Sequence, residues 1–297
     1  MDLFLTADFW DSTVRIAGPI ALAALACAIA SRAGVLFIAV EGIMLVCALF
    51  AIGGTIWTDS LVGGAVIAVA VGVVLALGFG VLSMSLRMGD VVGGLTMYVG
   101  ALGLAAFAAD QLFPNGATVG TTLGPIWPAF GGRAVEVVFH QQPLIYLAIG
   151  AAVVMEVFLR GRLGLRVRSS GESLRVAQTL GIRVMRLRFG VLAVSGALTG
   201  LAGATLGLSA GTFETNITSG QGFIGLACVT LGAWRPLGVL VASMVFAAAY
   251  AVQFRVSAIG GWIQMLPYVF TLLAMAVAWG RAQGPAEEGR GLSSDSR

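Results

Sequence analysis

A single carboxylate, Glu41, lies well inside an apolar stretch of this 297-residue sequence. An ionisable group there costs roughly 2.5 to 3.5 kcal/mol or more on insertion scales, so it must be compensated. Two readings are open. Glu41 lines a translocation pathway, or it is a structural group bonded to backbone donors of a broken helix or paired with an arginine. A second feature is the block Arg160, Arg162, Arg166, Arg168, Arg175, Arg183, Arg186 and Arg188, set against one acid, Glu172. The remaining residue types exclude most covalent chemistry. Every basic residue is arginine, which removes P-loop lysine, Schiff-base and lysine general-base chemistry; the chain is not itself a standard ATPase. The one histidine, His140, has no metal-ligand partner nearby in sequence, and Cys27, Cys47 and Cys228 lie far apart without C-x-x-C spacing. No catalytic residue, cofactor or metal is therefore expected.

These residues must be held by membrane-spanning elements. With 58% hydrophobic residues, 10% charged residues and 42 glycines, the chain reads as an all-α, polytopic integral membrane protein. The net charge of +3 sits almost entirely in inter-span loops, so it is a topology signal and not a nucleic-acid footprint. Spans of about 20 apolar residues are expected at 14–31, 35–57, 61–83, 91–109, 144–159, 189–209, 221–234, 237–254 and 262–280. The segment 221–234 is short and ends at Arg235-Pro236, so it reads as discontinuous or re-entrant. Short arginine-rich loops are retained on the cytoplasmic side, which places the C-terminus inside, the N-terminus outside and 110–143 in a long external loop. The acids Asp2, Asp8 and Asp11 argue against a cleaved leader. Residues 1–282 are expected to form one transmembrane domain, with a loop at 160–188, followed by a polar Gly/Ser-rich tail, 283–297, expected to be disordered. Gly34 to Val46 faintly resembles Gly222 to Gly232, which suggests an internal pseudo-repeat.

Within the arginine loop, Gly171 to Ile182 (GESLRVAQTLGI) reads as a short helix outside the membrane. Ser169 and Glu172 have capping-box spacing, Leu174, Ala177 and Leu180 share one face, and Gly181 is a C-terminal stop. Either it is a solvated loop that anchors topology, or it docks a partner. Elsewhere, Glu156 and Arg160 have the spacing of a surface pair, and Asp90 that of a helix cap. Gly196, Gly200, Gly203, Gly207 and Gly211 include the small-x-x-x-small spacing of close helix packing. Trp57, Trp127, Trp234, Trp262 and Trp279 sit near segment ends or in loops, as interfacial anchors do.

Three segments carry a family resemblance: SRAGVLFIAVEGIML from Ser31, GESLRVAQTLGI from Gly171, and GQGFIGLACVTLGAWRPLG from Gly220. They are similar to the forms R-S-G-V-x-N-I-x-x-E-G-x-M-L, G-E-N-P-x-A-A-x-x-x-G-I and G-x-G-F-I-x-L-A-x-x-x-x-G-x-W-x-P-x-G of permease subunits of bacterial ATP-binding-cassette (ABC) importers for simple sugars and nucleosides. The sequence departs from those forms at Phe37, where Asn is common, and at Ser173-Leu174, where Asn-Pro is common.

The resemblance implies an inner-membrane subunit that forms half of a solute pathway and works by alternating access. It implies a second permease (a different one favoured over a copy of itself), a cytoplasmic ATP-binding-cassette subunit and an external solute-binding protein. Matching positions make Glu172, Arg175, Ala177, Leu180 and Gly181 coupling candidates, and Phe37, Glu41, Met44, Phe223 and Trp234 pathway candidates. An ion-coupled secondary transporter or channel is the alternative, although it would need several intramembrane ionisable sites and only Glu41 qualifies. A membrane enzyme ranks last, for want of any nucleophile–base or metal cluster.

Overall fold

Apolar runs with few charges can satisfy their backbone groups in a bilayer only as helices or closed barrels, and the long runs here become helices. The computed structural model describes residues 7–114, 116–120, 143–256, 269, 272, 276 and 284–289. In chain order these form α1 (Ala7–Arg32), α2 (Val40–Thr58), α3 (Leu61–Gly80) with a π-helical turn over Val81–Ser85, and α4 (Asp90–Leu112). Then come α5 (Pro143–Arg160), α6 (Arg162–Glu172), α7 (Leu174–Thr179), α8 (Val184–Ala210), α9 (Gln221–Leu231) and α10 (Pro236–Val256). No strand occurs among the described residues; a lone bridge joins Thr118 to Thr212.

Six helices among the described residues are long and apolar enough to cross a membrane, within α1, α2, α3 with its extension, α4, α8 and α10. Nine spans were expected. Of the other three, 144–159 lies in the 18-residue α5, 221–234 contains only the 11-residue α9, and 262–280 falls outside the described residues except at three positions. At 1.5 Å per residue α9 is roughly 16 Å long, about half the hydrocarbon thickness. It is too short to cross a bilayer on its own, and the backbone groups at its ends need partners.

The core is built around α1 and α2. Fifteen residues of α2, from Val40 to Thr55, are buried, so this helix has no outer face. The glycines of α8 let it approach α2 and α3 at backbone distance. A Cβ at Gly196 would lie 2.4 Å from the Gly72 carbonyl oxygen, and one at Gly203 2.5 Å from that of Met44. By contrast α3 and α4 present Val62, Val66, Val74, Val91, Val92, Leu95 and Val99 outward, the composition of a face turned to lipid or to another membrane subunit. Gly203→Val is accordingly expected to lower the thermal unfolding midpoint of the purified protein, since overpacking costs about 1–3 kcal/mol. An unchanged midpoint would refute backbone-distance packing there.

Candidate translocation cavity and hinge

At the start of α9 the Gln221 N–H meets the Thr218 carbonyl at 2.8 Å, and Glu41 supplies acceptors for the amides on either side of it. It sits in the first turn of α2 and is 3% exposed. Its Oε1 accepts from Gly220 N–H at 2.9 Å and its Oε2 from Gly222 N–H at 2.6 Å. Gly220 has φ 80°, and a Cβ at Gly222 would meet Glu41 Oε2 at 2.6 Å, so both glycines are required by the contact. A carboxylate at a helix N-terminus also answers the helix dipole. Of the two readings of Glu41, the structure displays the structural one, a cap on a broken helix. Glu41→Ala would strand two buried N–H groups at about 1–3 kcal/mol each, so it is expected to destabilise the protein well beyond Glu41→Gln, which keeps an acceptor. Equal unfolding midpoints for the two variants would contradict this.

Beside that cap opens a cavity of about 320 Å³, lined by Glu41, Tyr98, Leu102, Thr215, Asn216, Thr218, Gly220, Phe223 and Ile224. The rings of Tyr98 and Phe223 meet edge to face, with centroids 5.4 Å apart. A lining that combines hydroxyls, an amide and two rings suits a small polar solute with a flat or hydroxyl-rich body. Of the five pathway candidates, Glu41 and Phe223 line this cavity. Phe37 and Met44 are fully buried in the core, Phe37 against Phe79 at 5.4 Å. Trp234 lies at the far end of α9. Tyr98, Thr215, Asn216 and Thr218 carried no sequence signal, because their meeting depends on how α4 packs beside the 212–220 connection.

The other end of α9 belongs to a hinge. Arg188, counted in the sequence only as one charge in a block, is 2% exposed. Its Nε donates to the Ala33 carbonyl at 3.0 Å and an Nη to the Ser170 carbonyl at 3.3 Å. One guanidinium thus ties the C-terminal ends of α1 and α6 to the start of α8, satisfying carbonyls that helix ends leave open. Gly171 approaches so closely that a Cβ there would lie 2.4 Å from the Arg32 carbonyl oxygen. Arg32 Nε donates to the Trp234 carbonyl at 3.0 Å. Trp234 is 8% exposed with φ 56°, so it is a buried hinge residue rather than the interfacial anchor expected. Asp90 also departs from expectation: its carboxylate accepts from Leu36 N–H at 2.8 Å and from the Ser83 hydroxyl, across elements, and caps no amide of its own helix. Glu156 and Arg160 do form an exposed pair, at 2.8 Å.

The segment after α6 breaks at Ser173, which is extended, and whose hydroxyl accepts from Val176 N–H at 3.4 Å. The cap of α7 is therefore Ser173. Ser169 instead lies within α6 and donates to the Arg166 carbonyl, since α6 continues until Ser170 and Gly171 meet the end of α1. Leu174 and Ala177 pack with Val184 and Ile182. Leu180 does not join them: α7 closes at Thr179, Gly181 takes φ 74°, and Leu180 is left 69% exposed. Glu172, Arg175 and Gly181 are exposed as well, while Ala177 lies beneath them. Gly203 of α8 packs on Met44 and Arg188 on Ala33. The fifteen-residue rise along α8 from Arg188 to Gly203 corresponds to roughly 22 Å, so one continuous helix joins the hinge to Met44, one turn from the cavity-lining Glu41.

Residues 10–282 match the family model described as branched-chain amino acid transport system / permease component. The chain is 29% identical to the nucleoside ABC transporter permease protein NupC of Lactococcus lactis, with 87% of this chain and 88% of that protein covered. It is 30% identical to the guanosine ABC transporter permease protein NupQ of Bacillus subtilis, with 94% of each covered. A solved structure described as an inward-facing conformation of an ABC transporter, assigned to the metal-chelate type, aligns with a TM-score of 0.50 and 14% identity over 91% of this chain and 84% of that one. At that identity it speaks to the fold alone.

Proposed function

The chain belongs to the branched-chain amino acid transport system / permease component family, and from that membership we propose that it forms half of the pathway of an ATP-driven importer for a nucleoside or simple sugar. It is a multi-pass membrane subunit with no lysine for nucleotide binding, so ATP is hydrolysed on a partner chain. In this reading the solute arrives from an external binding protein, a second and different permease completes the pathway, and the hinge around Arg188 faces the cytoplasm. Motion imposed on α7 by the ATPase passes through α8 to the cavity. The observation that carries the reading is the cavity beside a half-helix, whose lining combines the Tyr98–Phe223 ring pair with Thr215, Asn216 and Thr218. The substrates of the two relatives, nucleoside and guanosine, support the same solute class.

An ion-coupled mechanism is disfavoured by the same geometry. Both oxygens of Glu41 hold structural amides, and a coupling ion would have to compete with them. The test is uptake of tritiated nucleosides and monosaccharides into proteoliposomes holding the complete complex. Uptake should require hydrolysable ATP and survive a protonophore; uptake that needs no ATP and stops with the protonophore would overturn the proposal.

A further inference from the structure

The polar composition of 283–297 predicts disorder, yet within it residues 284–289 fold as a turn against the hinge. Their contacts are specific. Glu287 N–H donates to the Gly171 carbonyl at 2.9 Å, and Glu287 Oε1 accepts from Leu174 N–H, the first amide of α7, at 3.4 Å. Ser31 at the end of α1 donates its hydroxyl to Glu288 Oε1 at 2.5 Å. A Cβ on Gly34 would stand 3.2 Å from the Cβ of Glu287, and one on Gly284 2.7 Å from the Trp234 ring. Burial pushes the Glu288 carboxyl above its ordinary range, opposed by the hydrogen bond from Ser31. One short turn thus touches the coupling candidate α7, the connection that enters α2 and the C-terminal end of α9.

We infer that residues 284–289 are a strut that positions α7 against the 31–36 connection, so that force applied at α7 reaches the solute cavity instead of bending the hinge. The inference rests on the importer reading for its function but not for its geometry. Leu174 and Gly171 flank the break at Ser173, where α6 ends and α7 begins; a break held by no third element would flex. Glu287 holds both sides of it. Glu287 and Glu288 are positioning residues and touch no solute.

The test uses the complete complex with wild-type chain, Glu287→Pro, which removes the N–H donor, Glu288→Ala, and Glu288→Gln, which keeps an acceptor for Ser31. Hydrogen exchange of the amides at 171–179 should be at least fivefold faster in Glu287→Pro, a result independent of any solute. Uptake of tritiated guanosine per ATP hydrolysed should fall about fivefold in Glu287→Pro and Glu288→Ala, with ATP hydrolysis within twofold of wild type and Glu288→Gln restored. Unchanged exchange overturns the strut. Faster exchange with an unchanged uptake ratio overturns its role in coupling. If Glu287→Pro fails to assemble, Glu288→Ala against Glu288→Gln decides alone, and equal ratios for the two refute the inference. A wild-type complex without ATP-driven uptake of guanosine, of the other nucleosides or of the monosaccharides would refute the importer reading instead, leaving exchange to judge the strut.

Discussion

Leu180→Asp is expected to lower solute uptake per ATP hydrolysed by at least tenfold while ATP hydrolysis by the complex continues. Leu180 is a large apolar side chain, 69% exposed, at the C-terminal end of the short capped helix α7. Exposed apolar groups at such a point act as anchors in a partner's pocket, where one residue contributes 2 kcal/mol or more, about thirtyfold in affinity. A charge placed there loses that contact and must also be desolvated. Because Leu180 is mostly exposed and belongs to no apolar cluster among the described residues, the substitution should leave the unfolding midpoint nearly unchanged. That separates a docking role from a folding role. Uptake per ATP equal to wild type would remove α7 from the account of coupling.

Arg188→Ala should have the opposite signature: a large loss of stability together with loss of transport. The substitution strips the Nε donor from the Ala33 carbonyl, leaving it only a long contact from the Ser170 hydroxyl at 3.4 Å, and it strips the second donor from the Ser170 carbonyl. Each buried acceptor left open costs about 1–3 kcal/mol, and the emptied volume adds to this. Lysine is no substitute, because one ammonium cannot reproduce the geometry of a guanidinium holding two carbonyls. Arg188→Lys is therefore expected to resemble Arg188→Ala in the unfolding midpoint and in uptake. Wild-type behaviour in Arg188→Lys would show that charge alone, and not the fork, holds the hinge.

Helix after helix was legible because membrane chemistry leaves so few options. A run such as Leu61 to Gly80 has no charge and no other way to satisfy its backbone, and within the short run 221–234 the helix α9 closes at Gly232, three residues before Arg235-Pro236. The glycine spacing of α8 was equally readable, since only close backbone approach explains it. What failed was whatever depended on partners far away in the chain. Ser169 and Ser173 both have local capping geometry, and the choice falls to Ser173 because Ser170 and Gly171 pack against α1. Arg188 was hidden among seven other arginines, although its position four residues inside the next apolar helix is the signal that sets it apart. Asp90 was read as a local cap when its partners are Leu36 and Ser83. The turn at 284–289 was invisible to composition, because its anchors are the backbone of Gly171 and Leu174.

Coupling as proposed requires that α7 face the cytoplasm and meet the ATPase there. The direct measurement is labelling of Leu180→Cys by a membrane-impermeant maleimide in vesicles of known orientation, with and without the ATP-binding subunit. The native cysteines are all buried and stay silent in such an experiment. Position 180 should react in inside-out vesicles, become protected when the ATP-binding subunit is added, and remain unreactive in right-side-out vesicles. Labelling from the outer side, or reactivity that the ATP-binding subunit leaves untouched, would contradict the account.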